Sequence, residues 1–408
     1  MRALYISYDG MTDPLGRSQV LPYLQALSRR GHEITLLSCE KPARMAAGGG
    51  TVRAICDAVG IDWQPVAYHK NPPILSGMVD VAALKRAAAR LHGAKRFDLV
   101  HCRSYMAAIA GDWLKRTRGV PFLFDIRGFW ADERVERGIW SARNPLFRAA
   151  YHHFKKLETR FFRDADAIVS LTDTARREIE NWPVDRRPSA PISVIPCCVD
   201  LTVFSEAARK SGATTRTKLG IAAKAPVLVY VGSVGGAYLM SDTFALFDAY
   251  RKLRPGARFL FVTGHPREEI ERLARVQGID RAELVIVSAT RDEVPALIAA
   301  ADLGVSFILP TYSAKASCPT KFGEMLAMGV PVIANAGVGD IADIIRDTAA
   351  GAIVEDFHEA SLTKGITDAE AAGKEPAVVR ATAVRYFALE QGVDRYDEIY
   401  QTIGRQAA

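Results

Sequence analysis

The chain has 408 residues, 49% hydrophobic and 24% charged, with 53 Lys+Arg against 46 Asp+Glu and a formal net charge of +7. At roughly 100–200 residues per domain this length predicts two or three domains, and the balance of apolar and charged residues excludes a disordered chain. Six cysteines without a CxxC spacing suggest neither a zinc site nor a disulfide framework, and no uncharged apolar stretch reaches the ~18 residues of a membrane span. The charge is uneven. Residues 1–205 hold 30 basic and 21 acidic side chains, residues 206–408 hold 23 and 25. A basic first half points to an anionic partner, a membrane surface or nucleic acid, or else to drift in surface composition.

Residues 2–7 read as a short buried strand without the apolar run and cleavage site of a signal peptide, so a cytoplasmic, reduced protein is expected. Ser18 to Arg30 follow with Val20, Leu24 and Leu27 on one helical face, stopped by Gly31. Further strands are expected at Glu33–Ser38, Asp98–Cys102, Pro121–Ile126, Ala167–Leu171 and Ile192–Ile195. Helical stretches lie between them, and such alternation predicts a parallel sheet wound by right-handed crossovers. Residues 207–226 are small, polar and dotted with Lys and Arg, and read as an inter-domain segment. The pattern then restarts with strands at Val227–Val231, Arg258–Thr263, Leu284–Val287, Leu303–Phe307 and Val332–Ala334. The expected architecture is α/β: two doubly wound Rossmann-like domains, 1–205 and 206–385. A closing helix, 386–408, is expected to pack back on the first domain.

In open α/β sheets ligands bind beyond the carboxyl ends of the strands, which directs attention to three loops. Asp9–Ser18 contains Gly16, where backbone can approach a ligand, ahead of a helix whose first amides suit an anion. It is not GxGxxG. Val231–Gly236 places three glycines in five residues after a strand, as a phosphate-cradling loop or a tight turn. Ser317–Ala334 reads as a helix opened by Pro319 and closed by Gly329, with Lys321 and Glu324 on one face. They form either a surface ion pair or a phosphate cation beside a carboxylate for sugar hydroxyls.

The stretch Pro319-Thr-Lys-Phe-Gly-Glu-Met-Leu-Ala-Met-Gly-Val-Pro-Val-Ile resembles the donor-site signature of family-4 retaining glycosyltransferases, which have the two-domain GT-B fold. Pro14-Leu-Gly-Arg-Ser-Gln-Val with Arg30-Gly-His-Glu-Ile-Thr is similar to the family's opening loop and helix. Val194-Ile-Pro-Cys-Cys-Val-Asp200 resembles its segment before the linker, and Asp125-Ile-Arg-Gly-Phe-Trp130 a loop of members that build surface polysaccharides. The resemblance implies two such domains facing across a cleft. It implies a retaining, metal-independent hexosyl transfer from a nucleoside-diphosphate sugar to a saccharide or lipid-linked acceptor, with no resident cofactor. Glu324 would bind ribose; Lys321, the amides around Pro319 and Thr320, and the Gly232–Ser233–Gly235 loop would hold the diphosphate. Gly16 would contact the donor. Two departures stand out: Ala316 replaces a common glutamate eight positions before Glu324, and Ser233 to Tyr238 lacks the usual Arg and Lys. Phosphate charge would then fall to Lys321, Arg17 or Arg127.

His265, after a strand, reads as a donor-site residue or a turn residue. Arg127 is expected to touch donor or acceptor, and Asp132 or Glu133 to orient an acceptor hydroxyl, unless the three form a surface salt-bridge group. From Asn144 onward Phe147, Tyr151, Phe154, Leu157 and Phe161 form a helical stripe flanked by Arg143, Arg148, Lys155, Lys156, Arg160 and Arg163. The stripe is expected to pack in the core. The exposed cations, with Ile139 and Trp140, would meet an anionic membrane at its inner face. No zinc-finger, RNP-like or helix-turn-helix pattern supports nucleic acid. A GT-B scaffold without catalysis, motivated by the missing loop cations, and a sugar-nucleotide epimerase of the same fold are the alternatives.

Overall fold

The computed structural model describes residues 1–72, 74–141 and 143–407. It divides into two compact units, Met1–Pro196 with Leu389–Ala408, and Cys197–Ala388. The first contains seven strands: β1 (Arg2–Ser7), β2 (Glu33–Glu40), β3 (Asp62–Ala67), β4 (Leu99–Arg103), β5 (Phe122–Asp125), β6 (Ala167–Ser170) and β7 (Ile192–Val194). They pair in parallel in the order β3-β2-β1-β4-β5-β6-β7. The second contains β8 (Val227–Val231), β9 (Arg258–Val262), β10 (Leu284–Val287), β11 (Leu303–Ser306), β12 (Val332–Asn335) and β13 (Gly351–Val354), parallel in the order β10-β9-β8-β11-β12-β13. Both are doubly wound, as the alternation predicts. The strand order reverses between β1 and β4 in one sheet and between β8 and β11 in the other, where such sheets bind ligands.

Differences from the sequence reading have local causes. β3 and β13 are edge strands without a long apolar run. β3 carries Pro65, which an edge tolerates because one row of N–H groups is unpaired there. The first helix is two, Pro14–Gln19 and Leu21–Arg29, parted where Val20 leaves helical geometry at φ −127°. Residues 207–226 are not a plain linker. The helices Glu206–Lys210 and Gly212–Lys218 run through this stretch and pack within the second unit, where Arg216 donates to the Ala300 carbonyl and Asp302 at 2.8 Å each.

The closing helix, Leu389–Ala407, belongs to the first unit. Tyr400 Oη lies 2.9 Å from His101 Nδ1, and Tyr396 Oη donates to Asp125 Oδ2 at 3.0 Å. Arg30 meets Glu390 and Asp394 at 2.6 Å.

The Pro145–Asp164 helix turns its aromatic stripe inward. Phe154 packs on Trp130 at 4.6 Å, and Phe161, fully buried, on Phe124 at 5.4 Å between ring centroids. Its cations divide. Lys155 points inward to Asp132 at 2.8 Å and to buried Glu158, whose carboxyl burial pushes up against the pull of Lys155. Arg160 meets Asp112 at 3.0 Å, while Arg143, Arg148 and Lys156 are exposed. Trp140, expected at the surface, is buried against Trp130 and Phe154 with Arg134 above it, so only Ile139 of that pair is exposed.

Replacing Phe161 by Ala empties the contact among Phe122, Phe124 and Tyr105 and is expected to cost about 3–5 kcal/mol. A urea unfolding midpoint equal to that of the unaltered chain would contradict this packing.

Candidate functional site

In the second unit, the helix Thr320–Ala327 starts at Pro319 as N-cap and ends through paired hydrogen bonds from Gly329 N to Leu326 O and Val330 N to Met325 O. Cys197 N donates to Cys318 Sγ at 3.3 Å and fixes the chain just before it. Lys321, in the first turn, is 6% exposed and Glu324 is 4% exposed, so they are not a surface ion pair. Lys321 Nζ has no hydrogen-bond partner among the described residues. It sits 3.6 Å from the Tyr238 ring centroid and 4.2 Å from that of Tyr230. Burial lowers its pKa from 10.5 to about 7, against the upward pull of Glu324.

The loop after β8 lies above this ammonium. Gly232 has φ +112°, Gly235 +83° and Gly236 +69°, backbone that L side chains rarely adopt. A Cβ on Gly232 would stand 4.0 Å from Lys321 Nζ. Tyr230 Oη donates to the Ser233 carbonyl and pins the loop to its own strand. Lys321, Pro319, Thr320, Gly232, Ser233 and Gly235 therefore come together in this unit. Glu324 Oε1 accepts from Arg291 Nη1, and Arg291 also stacks on Phe204 at 4.7 Å. His265 is partly exposed beyond β9, its Nδ1 3.5 Å from Glu269. Ala316 is buried, in a short 3₁₀ turn.

In the first unit, Glu40 at the end of β2 accepts from Met11 N (2.7 Å), Thr12 Oγ1 (2.6 Å) and Ser38 Oγ (2.6 Å), and holds the loop after β1. Gly16 closes on that loop: a Cβ there would stand 2.2 Å from the Gly10 carbonyl oxygen, so packing alone requires glycine. Arg17 Nε is buried without a hydrogen-bond partner among the described residues. Arg127 follows β5 with φ +54° and a nearly buried side chain 3.7 Å from Asp125. Burial alone would push the Asp125 carboxyl up, but Arg127, His101 and Arg103 hold it below its ordinary value. Asp132 is engaged by Tyr151 and Lys155 at 2.8 Å each, and Glu133 by Arg137 at 2.7 Å. Both carboxylates thus have local partners.

A family profile described as Glycosyltransferase Family 4 matches residues 19–203, and one described as Glycosyl transferases group 1 matches residues 225–369. The chain is a glycosyltransferase, matching the family-4 profile in its first half and the group 1 profile in its second. It is 27% identical over 347 residues to a D-inositol 3-phosphate glycosyltransferase of Kineococcus radiotolerans, covering 80% of this chain and 73% of that one. Its fold is similar to sucrose-phosphate synthase from Thermosynechococcus elongatus, at TM-score 0.73 and 16% identity over 98% of each chain. It is also similar to Anabaena HepE in complex with UDP and glucose, at TM-score 0.69 and 15% identity over 98% of this chain and 100% of that one. The architecture is GT-B.

Among the described residues, the candidate site also includes Tyr230, Tyr238 and Arg291, which the sequence did not single out. Tyr230 sits in an otherwise aliphatic strand, and the rings matter only because Lys321 folds under them. Arg291 lies 33 residues before its partner Glu324, a pairing no local pattern reveals.

The lowered Lys321 pKa has a stability consequence. Below about pH 7 the native state carries a buried charge; as pH rises toward 10.5 the native lysine is neutral while the unfolded one is still charged, and the penalty disappears. Lys321→Met is therefore expected to be more stable than the unaltered enzyme at pH 6. That advantage shrinks by roughly 3 kcal/mol on moving to pH 9.5, as read by urea unfolding at both pH values. A pH-independent difference would contradict the assignment.

Proposed function

We propose that the enzyme transfers a hexosyl group from a nucleoside-diphosphate sugar to a saccharide or lipid-linked acceptor, with retention of configuration and without a resident metal or other cofactor, in surface glycan synthesis. The observation that carries this reading is the buried Lys321 ammonium, without a hydrogen-bond partner among the described residues, at a helix N-terminus beneath a loop of left-handed glycines. Such an arrangement is stabilised by a diphosphate, which supplies the missing counter-charge and accepts from backbone N–H groups. Names among the relatives agree with it: one acts on an inositol phosphate, and one was seen with UDP and glucose.

In this reading the bond from the anomeric carbon to the diphosphate oxygen breaks as the acceptor oxygen attacks from the same face. The acceptor proton passes to the departing phosphate oxygen. Lys321, the amides around Pro319 and Thr320, and the Gly232–Ser233–Gly235 loop hold the charge that develops on the leaving group. Glu324 binds the ribose hydroxyls, exchanging its Arg291 contact for them. Gly16, Arg17 and His265 line the donor, and Arg127 is assigned to donor or acceptor in preference to Asp132 and Glu133. Exposed Arg143, Arg148 and Lys156, with Ile139 and Leu146 at 52% and 60% exposure, would bring the first unit to the anionic inner face of a membrane. No described helix is long and apolar enough to cross one. The absence of Arg and Lys from Ser233 to Tyr238 favours a second reading, a scaffold that binds without turnover.

A panel of UDP-, GDP- and ADP-sugars assayed for thermal stabilisation and for hydrolysis or transfer, with EDTA present, separates the readings. One donor is expected to stabilise and turn over. Glu324→Ala and Lys321→Met are each expected to weaken its binding at least tenfold. Binding without turnover would establish the scaffold, and unchanged binding in Glu324→Ala would remove the ribose assignment. Because the diphosphate prefers the charged lysine, nucleoside-diphosphate affinity is expected to fall as pH rises above 7, by at most about tenfold per unit, and not in Lys321→Met.

A further inference from the structure

The surroundings of Lys321 depend on where one tyrosine lies. Tyr238 approaches its ammonium more closely than Tyr230 does, at 3.6 Å against 4.2 Å from the ring centroids. Between the two rings the chain passes through Gly232, Gly235 and Gly236, all at positive φ, and glycine has little conformational preference of its own. Tyr230 fixes the near end of this loop at the Ser233 carbonyl. The far end, which carries Tyr238, is held from another strand.

Tyr238 forms an antiparallel bridge with Ile308, in the segment after β11. On either side, Leu309 N donates to the Ala237 carbonyl at 2.8 Å and Leu239 N to the Phe307 carbonyl at 3.2 Å. Ile308 has itself left the sheet, because the ladder between β11 and β12 ends at Ser306 and Ala334. Asn335, the buried last residue of β12, continues that ladder with its side chain. Its Oδ1 accepts from Ile308 N at 2.8 Å, and its Nδ2 donates to the Ile308 and Ala336 carbonyls at 2.9 Å each. A reversed amide would set its oxygen against two carbonyls and its NH2 against an N–H, so one orientation alone satisfies all three bonds. An aspartate could not donate to the carbonyls, and an apolar side chain would leave both groups of Ile308 without this partner.

We propose that Asn335 is a positioning residue of the donor site: by pairing with Ile308 it holds Tyr238 against Lys321 and fixes the far end of the glycine loop. The residue touches no substrate. It acts through the Ile308 backbone, and Tyr238 in turn keeps water from the ammonium. That the site takes a donor diphosphate rests on the glycosyltransferase reading; the hold of Asn335 on Tyr238 does not depend on it.

The test follows the full-length protein by NMR, with the Lys321 resonances assigned by their absence from Lys321→Met. In the unaltered chain the Ile308 amide is expected to exchange with deuterium as slowly as a buried strand amide. Exchange at the rate of an open loop would overturn the proposal, whether or not any variant folds. Asn335→Ala and Asn335→Leu are each expected to release Tyr238. Lys321 then regains water, loses the ring-current displacement of its side-chain resonances, and titrates about one unit or more above its starting value of about 7. Leucine restores the lost volume but not the pairing, so a leucine variant that behaves like the unaltered chain would overturn the proposal. Tyr238→Ala is expected to shift Lys321 by the same amount, with no further shift when Asn335→Ala is added. Additive shifts, or an unmoved Lys321 in both Asn335 variants, would overturn it. UDP binding at pH 6, where Lys321 is charged throughout, is expected to weaken severalfold in both variants. Affinity equal to that of the unaltered chain would overturn the role at the donor site. An unaltered chain that binds no nucleoside diphosphate would instead refute the glycosyltransferase reading, and the Lys321 titration would still decide what holds Tyr238.

Discussion

The second unit is organised around a charge it does not neutralise. The Lys321 ammonium is taken out of water, set against the faces of Tyr230 and Tyr238, and left without a hydrogen-bond partner among the described residues. Cation–π attraction offsets only part of the lost hydration, and the depressed pKa registers the remainder. Nothing in folding alone calls for this arrangement, since a methionine would fill the space without the penalty. In the proposed reading ligand binding does call for it: a diphosphate would meet a cation already desolvated.

The rest of the unit keeps that charge in place. The Thr320–Ala327 helix is fixed at its start by the contact between Cys197 N and Cys318 Sγ and at its end by the turn through Gly329. The loop above is held by the hydrogen bond from Tyr230 to the Ser233 carbonyl, so the ring that flanks the ammonium also anchors the glycine-rich backbone beside it. In the first unit the same topology is used differently. Glu40 ties down the loop after β1, Gly16 lets the following helix close on it, and the cations at the strand ends, Arg103 and Arg127, face Asp9 and Asp125.

Much of this was legible in the residues. The alternation of apolar runs and helical stretches, restarting at Val227, gave two doubly wound sheets because parallel strands buried on both faces read as continuous apolar runs. The edge strands escaped because Asp62–Ala67 and Gly351–Val354 are short and interrupted. Residues 207–226 looked like a linker because two short helices with little apolar surface carry no strong periodicity. Lys321 and Glu324 stood out through motif and spacing, but their burial and separate partners depend on Tyr238 and on Arg291, which only the fold brings near. Trp140 went the other way. Its place beside Ile139 suggested a surface, whereas Trp130, Phe154 and Arg134 enclose it.

The family-4 and group 1 profile matches and the GT-B architecture fix the class of chemistry, and the account turns on whether Lys321 is the diphosphate's cation. The most direct measurement is the titration of the Lys321 side chain by NMR, on protein with labelled lysine Nζ, with and without UDP. The account predicts a transition near pH 7 in the free enzyme that moves upward by two units or more when UDP is bound. A lysine that titrates near 10.5 in the free enzyme, or whose transition does not move with any nucleoside diphosphate, would contradict it.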